Sequence, residues 1–230
     1  VCDGSPVSSQ GSDSNESEEV NNILGEIREQ CIKNTGSDAA FDGFMISFQM
    51  CMMCLTHLDA RNFAIDVSQL SNATRGTFFP KYCSEMRSMV SCWGEWLPGM
   101  RPCLKENAFQ IADALIASLP EALDLACRND GEIIMKFEDK ERKECIMPNA
   151  NKFWKCGDML KNGMDNVFDL FKLKQDQCSI LTSFRKCINE QLEPCDLSDI
   201  VSIYDIPMNA ILPLTACANG TNVANATVIN

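Results

Sequence analysis

The sequence predicts an all-α protein, a disulfide-stapled helical bundle made of two related helical repeats packed together. Three observations predict this fold class. The 230-residue chain carries fourteen cysteines that are spread along its length. Its apolar residues recur at the three- and four-residue spacing of a helix. No stretch shows the sustained alternation of apolar and polar residues that is typical of a half-buried strand.

The cysteines are even in number and dispersed, which is typical of a disulfide framework formed in an oxidising compartment. A zinc site would need close cysteine pairs that face further cysteines or histidines. Only Cys51 and Cys54 have that spacing, and His57 is the single histidine. We therefore expect disulfides and no metal or cofactor, with the pairing open, because even six cysteines allow 15 connectivities. The cysteines expected in disulfides are Cys2, Cys31, Cys51, Cys54, Cys83, Cys92, Cys103, Cys127, Cys145, Cys156, Cys178, Cys187, Cys195 and Cys217.

Several features predict a secreted, extracellular protein. The chain begins at Val1, which we interpret as the residue after a removed signal peptide. It has no run of about 18 or more apolar residues, so we expect no transmembrane segment. Four glycosylation sequons begin at Asn15, Asn72, Asn219 and Asn225. The net charge of −12, without a basic cluster, argues against nucleic acid and anionic membranes as partners.

Composition divides the chain into four segments. Residues 1–16 are polar and acidic and predict a flexible arm, while residues 218–230 predict a flexible glycosylated tail. Residues 17–146 are expected to form the first helical repeat and residues 147–217 the second.

Helical spacing of apolar residues predicts helices in order along the middle of the chain. Pro120 is expected to kink or restart the helix that precedes it. Asp130 and Gly131 are expected to stop that helix. The predicted helical stretches are 41–55, 104–119, 132–145, 152–171 and 176–192.

Two cysteine quartets carry the repeat. In the first quartet 8, 10 and 23 residues separate the cysteines, and in the second 8, 7 and 21. Two copies of one helical unit would explain this agreement, and coincidence in a cysteine-rich chain is the alternative. The quartets are Cys83, Cys92, Cys103 and Cys127, then Cys178, Cys187, Cys195 and Cys217.

Five segments on and after the first quartet carry recognisable motifs: 78–83, 91–93, 102–106, 126–134 and 144–146. They resemble the insect 27 kDa hemolymph glycoprotein family. That family shows Phe-x-x-Tyr-Cys, a cysteine after eight residues, Cys-Leu, and Cys-x-x-Asp-Gly-Asp before apolar residues. Where it usually has Gly-Gly near Cys145, this chain has residues 140–143. The resemblance implies a secreted arthropod protein of body fluid or saliva with no assigned catalytic activity.

Candidate catalytic motifs are weak, and we expect no enzyme. Cys51-x-x-Cys54 lies in an apolar helical stretch and lacks the strand setting of a thioredoxin-like redox pair, so two bridges to different helices are favoured. Cys54-x-x-His57 overlaps the helix motif of secreted phospholipase A2. However, Asp59 lies two residues after the histidine, and no glycine-rich calcium loop precedes it.

A methionine- and phenylalanine-rich helix is the candidate binding element. It is apolar on nearly every side, so it lies either in the core or along a ligand site. Methionine is flexible and suits varied apolar ligands, although ordinary core filling explains the pattern too. The candidate ligand-binding residues are Phe41, Phe44, Met45, Phe48 and Met52.

Two functions follow as expectations. The first is a non-catalytic carrier that holds a lipid or a small hydrophobic molecule between helices. The second is an immune or salivary effector that binds a protein partner through its surface. Trp93, Trp96 and Trp154 are the candidate anchors for the second, with burial in the core as the alternative for each.

Overall fold

The computed structural model describes residues 13–163, 173 and 177–219, and every regular element in these residues is a helix. The all-α prediction is confirmed. The predicted arm and tail, with Cys2 and Asn225, lie largely or wholly outside the described residues. Short 3-10 turns join many of the helices. The helices are α1 (Asp13–Thr35), α2 (Ala39–Met53), α3 (Ala60–Ser68), α4 (Arg75–Met100), α5 (Glu106–Met135), α6 (Lys140–Ile146), α7 (Ala150–Gly163), α8 (Cys178–Leu192) and α9 (Val201–Ile211).

Helices α4 and α5 form the centre of the fold. α4 packs against both α5 and α2, and α5 packs along α9, while α7 packs on α8. The apolar interior is divided into small clusters rather than one deep core. One surrounds Cys31 and Phe44, another Phe79 and Met135, and a third Leu192 and Leu197.

Six disulfides tie these helices together and follow one connectivity twice. In each consecutive set of six disulfide-bonded cysteines, which leaves out Cys51, the first pairs with the fifth, the second with the fourth and the third with the sixth. The two quartets found in the sequence occupy the last four positions of the two sets. This agreement favours the predicted repeat, which stays a prediction, and it joins Cys145 to the second set. The pairs are Cys31–Cys103, Cys54–Cys92, Cys83–Cys127, Cys145–Cys195, Cys156–Cys187 and Cys178–Cys217.

Helix α5 is broken at Arg128–Gly131, where three successive residues adopt left-handed backbone angles. The predicted stop at Asp130 and Gly131 is therefore confirmed, whereas the backbone stays helical through Pro120. Gly131 has φ of +71°, and a Cβ there would lie 1.9 Å from Cζ of Phe79. The Arg75 guanidinium donates to the carbonyls of Asn129 and Asp130 and so holds the turn.

The prediction of one continuous helix over 132–145 is wrong. After α5 ends at Met135, a 3-10 turn follows, and α6 begins only after Asp139. The Asp139 carboxylate accepts a hydrogen bond from the backbone N–H of Arg142 at 3.1 Å. This side-chain cap starts a new helix, since it satisfies a backbone donor that the first helical turn leaves without an intrahelical partner.

One helical stretch, Ala39–Ser68, passes the length and composition test for crossing a membrane, with a mean hydropathy of 1.3. The backbone inside it is extended at Leu58 and Asp59, so α2 and α3 are separate helices. α2 has 15 residues, fewer than the roughly 20 that span a bilayer. Only 17% of the apolar window is buried within the protein. We interpret the stretch as a folded apolar surface.

Substitution of Gly131 by alanine is expected to destabilise the protein by about 2–5 kcal/mol, because the new Cβ overlaps the Phe79 ring and the residue must keep a positive φ. Chemical denaturation of wild type and variant measures this difference. Gly25→Ala in α1 is the control, since nothing lies within 4 Å of its Cβ position. Equal loss in both variants would contradict the assignment of the turn.

Tyr204 on α9 is expected to make stability fall in alkali. Burial raises its pKa to about 12 from 10.0. The unfolded tyrosine loses its proton near pH 10 and the folded one near pH 12, so unfolding becomes more favourable as pH rises through that window. Denaturant midpoints on either side of pH 10 measure the effect. Tyr204→Phe should show a shallower fall than wild type, and identical pH profiles would refute the prediction.

Candidate functional site

Helix α2 carries all five predicted ligand-binding residues, and the structure divides them between interior and surface. Phe44 is 3% exposed, and Phe41 and Met45 are half-buried. These three pack in the cluster that includes Ile27 and Cys31 of α1. The other two, Phe48 and Met52, are exposed by 37% and 51%. The predicted residues thus form one stripe that starts in the core and continues onto the surface.

Other exposed apolar side chains lie on the same segment, and two of them, Ile46 and Met53, lie seven residues apart on a side of α2 turned away from Phe48. Ile46 and Met53 are each 58% exposed, and Leu55 in the following 3-10 turn is also exposed. Sequence reasoning identified the helix without including these three among the candidate ligand-binding residues, although the lack of a polar side on α2 was the available signal. We call the exposed set the α2 apolar surface: Ile46, Phe48, Met52, Met53 and Leu55.

This surface is firmly held on α4. The disulfide Cys54–Cys92 fixes the end of α2. The indole N–H of Trp93 donates to the carbonyl of Cys51 at 3.0 Å. Closer to the carboxyl end of α4, a Cβ at Gly99 would lie 2.1 Å from Oγ of Ser47, so the two helices approach closely there. The exposed residues therefore project from a helix whose position is fixed by covalent and hydrogen-bond contacts.

Helix α3 is held beside α4 by a polar cluster and an aromatic contact. The Tyr82 hydroxyl donates to the Asp66 carboxylate at 2.6 Å, and Nζ of Lys81 donates to it at 3.1 Å. These hydrogen bonds hold the pKa of Asp66 below its usual range. The Phe63 ring meets the Tyr82 ring edge-on, with centroids 5.0 Å apart. Ile65 on α3 stays exposed.

Charged side chains are scarce on α2, whose charged residue is Asp42 in the first turn. The surface therefore offers little to a charged ligand and suits an apolar one. Clefts elsewhere are different in character. One of about 750 Å³ lies between the ends of α1 and α4 and is lined by polar and basic groups that include Lys33, Asn34 and Arg101.

A second cleft, of about 460 Å³, contains the single histidine. None of the five predicted ligand-binding residues lines this cleft or the larger one. Neither cleft is therefore the ligand site that the sequence predicts. The lining residues are His57, Arg87, Ser88, Ser91, Cys92 and Glu95.

The motifs around His57 have structural partners. Cys54 pairs with Cys92, and Cys51 takes part in none of the six disulfides of the described chain. The two do not form a Cys-x-x-Cys redox pair with each other. The Asp59 carboxylate accepts from the backbone N–H groups of Arg61 and Asn62, each at 3.0 Å. It caps α3, whereas a catalytic carboxylate would orient the histidine.

The three tryptophans differ in exposure. Trp93 and Trp96 are half-buried on α4, whereas Trp154 on α7 is 73% exposed. Among the sequons, Asn72 lies exposed in the turn after α3. The backbones of Asn15 and Asn219 lie within helical turns, and occupancy of all four sequons stays a prediction.

Comparison with known proteins identifies the family of this chain. A family model described as "Protein of unknown function (DUF1397)" matches residues 17–217. The chain belongs to the DUF1397 family. The "27 kDa glycoprotein" of Bombyx mori is 26% identical over 182 residues, which cover 77% of this chain and 79% of that protein. The "27 kDa hemolymph glycoprotein" of Manduca sexta is 27% identical over 119 residues, about half of each chain. No solved structure matches.

The resemblance drawn from the sequence is thereby confirmed, and the structure brings two of its segments together. Phe79 from the first segment contacts Gly131 from a later one. Cys83 forms its disulfide with Cys127, four residues before that glycine. These two segments thus meet where α4 packs against the broken part of α5. The disulfides and the names of the relatives together point to a secreted protein.

Proposed function

We propose that this protein is a secreted hemolymph protein that binds acyl chains of lipids on the α2 apolar surface. The observation that carries the proposal is the exposure of Ile46, Phe48, Met52, Met53 and Leu55 within ten residues of a firmly held helix. The site is an open apolar face, which differs from the ligand pocket between helices that the sequence predicts. Catalysis plays no part in the proposal.

The physical argument rests on the cost of leaving these side chains in water. Burial of apolar area contributes about 25 cal/mol for each Å². A bound acyl chain would cover this area without needing a charged or hydrogen-bonding partner. Met52 and Met53 are flexible and polarizable, so the surface can follow chains of different length and shape. The adjoining half-buried Phe41 and Met45 continue the same stripe towards α1.

The name of one relative supports hemolymph as the fluid in which this protein acts. One of them is named a hemolymph glycoprotein, and hemolymph is an aqueous fluid in which lipids need a carrier. No relative name supports saliva, so we propose hemolymph alone. The exposed Asn72 fits a glycoprotein as well.

Replacing Phe48 and Met52 together by serine is expected to weaken binding of a fluorescent fatty acid at least tenfold, because both exposed anchors of the stripe become polar. Titration of the probe with purified protein measures the dissociation constant. Met147→Ser is the matched control, since Met147 is 62% exposed outside α2. Absence of saturable binding in the wild type would reject the proposal, as would equal weakening by the control.

The second candidate function is binding of a protein partner as an immune effector. The specific observation in its favour is the 73% exposure of Trp154, because exposed tryptophan is a frequent anchor of protein interfaces. Met159, exposed on the same helix, adds apolar area beside α7's polar residues. This surface is separate from the α2 apolar surface in the sequence and lies on another helix.

Trp154→Ala is expected to abolish any complex that labelled protein forms in insect plasma, because it removes the largest exposed ring. Sedimentation velocity of the labelled chain in plasma reports the complex. Ile65→Ala serves as the control, since Ile65 is an exposed apolar side chain on another helix. If the wild type sediments as a free monomer, or if Trp154→Ala leaves its complex intact, this candidate is excluded.

A further inference from the structure

The cleft between the ends of α1 and α4, of about 750 Å³, gathers positive side chains in a protein whose net charge is −12. Lys33, Arg101 and Lys105 line it, and Glu106 is the acidic side chain in its lining. Lys33 is distant from the other two in the sequence, so the sequence alone shows no basic cluster there. We propose that this cleft binds the phosphate group of a phosphate monoester.

One disulfide holds the three cations together. Lys33 lies two residues after Cys31. Arg101 and Lys105 lie two residues before and two residues after Cys103. The two half-cystines are bonded to each other and buried, and their Cα atoms are 4.0 Å apart. Two residues of chain cover at most about 7 Å, so each cation is anchored close to the same cross-link.

Hydrogen bonds fix the wall of the cleft. The side-chain amide nitrogen of Asn34 donates to the backbone carbonyls of Pro102 and Leu104, at 3.0 and 3.2 Å. The side-chain oxygen of Asn34 accepts from the Gln30 amide at 2.7 Å. All four residues line the cleft. The end of α1 is thus bound to the turn that carries the other two cations, so a ligand would enter a cleft that is already formed.

Arg101 is oriented by contacts of its own. Its Nη2 donates to Oε1 of Glu106 at 2.9 Å, and its guanidinium lies over the Phe109 ring, 4.9 Å from the ring centroid. Glu106 also accepts from the Gln110 amide at 3.1 Å. A guanidinium has five N–H donors, so the contact with Glu106 leaves others for a ligand.

The two lysines carry the charge that remains. Neither the Lys33 nor the Lys105 ammonium has an ion-pair or hydrogen-bond partner within the part of the chain that the structure describes. Three positive side chains and one negative side chain therefore leave the lining with an excess of positive charge. Since like charges held near one another repel, a bound anion would stabilise this arrangement.

A phosphate monoester matches this excess. It carries a charge of about −1.5 to −2 near neutral pH and offers three acceptor oxygens. A lysine ammonium is a compact point charge for such an anion, and an arginine can donate to two of its oxygens at once. A carboxylate brings a single negative charge and would leave part of the excess uncompensated. Phosphate is therefore the chemistry that the cleft fits best.

The phosphate has two sources, a free phosphate ester in the body fluid and the headgroup of a lipid. Leu104 lines the cleft and also packs in the cluster that contains Phe41 and Met45 of the α2 stripe. The cleft thus adjoins the inner end of that stripe. A lipid headgroup as the source rests on the proposed binding of acyl chains, whereas the phosphate site itself does not.

Isothermal titration calorimetry of the full chain with glycerol 3-phosphate, in dilute buffer free of phosphate, tests the site. The wild type should bind saturably. The double variant Lys33→Gln, Lys105→Gln should bind about tenfold more weakly or worse, because it loses two charge-assisted contacts. The matched control is the double variant Lys152→Gln, Lys155→Gln on α7, which removes two exposed lysines outside the cleft.

Four results would each overturn the proposal. They are the absence of saturable heat in the wild type, equal affinity for acetate, unchanged affinity in the Lys33 and Lys105 variant, and equal weakening by the control.

Dihexanoyl phosphatidate distinguishes the two sources, since it has the same phosphate monoester with two short acyl chains. Equal affinity for both ligands assigns the cleft to a free phosphate ester. Tighter binding of the phosphatidate, with the gain lost in the Phe48→Ser, Met52→Ser protein, assigns it to a lipid headgroup. Glycerol 3-phosphate has no acyl chain, so the phosphate site and the proposed acyl-chain binding fail or succeed separately.

Discussion

The disulfide framework is the constraint on which the rest of this structure depends. Eight of the 24 buried apolar side chains in the described residues are half-cystines, and the interior is split into small clusters. A chain with so divided a core gains less from burial than a chain with one deep core. The cross-links offset this by restricting the unfolded chain, most of all where they close long loops. Cys31–Cys103, which spans 72 residues, closes the longest of these loops.

This constraint explains how α2 can keep apolar side chains in water. In a protein held by burial alone, a helix with exposed Met52 and Met53 would gain stability by turning or sinking into the core. Here Cys54–Cys92 and the hydrogen bond from Trp93 fix its rotation on α4. The same contacts that stabilise the helix therefore keep its apolar side outward. Solubility alone would favour polar residues there, and the proposed binding of acyl chains would give this exposed apolar surface a role.

Much of the fold could be predicted from the sequence, because helical spacing and cysteine spacing are local patterns. The stripe through Phe41 and Phe48 marked α2, and the Asp130–Gly131 pair marked the break in α5. The break within residues 132–145 could not be predicted. The helical spacing of apolar residues looks unbroken there, and the Asp139 cap interrupts the helix nevertheless. The exposure of Met52 could not be predicted either. It depends on which side of α2 faces α4, and a helix that is apolar all round carries no signal of that choice.

The arrangement of the disulfides has a consequence for cleavage of the backbone. From Cys31 to Cys127, every peptide bond is spanned by at least one cross-link, and the same holds from Cys145 to Cys217. A protease that nicks either stretch once leaves the fragments covalently joined. Residues 128–144 are spanned by none of the six cross-links, and they contain Arg128, Lys136 and Lys140. A single cut within residues 128–144 would therefore remove the covalent connection between the two disulfide-linked halves of the molecule.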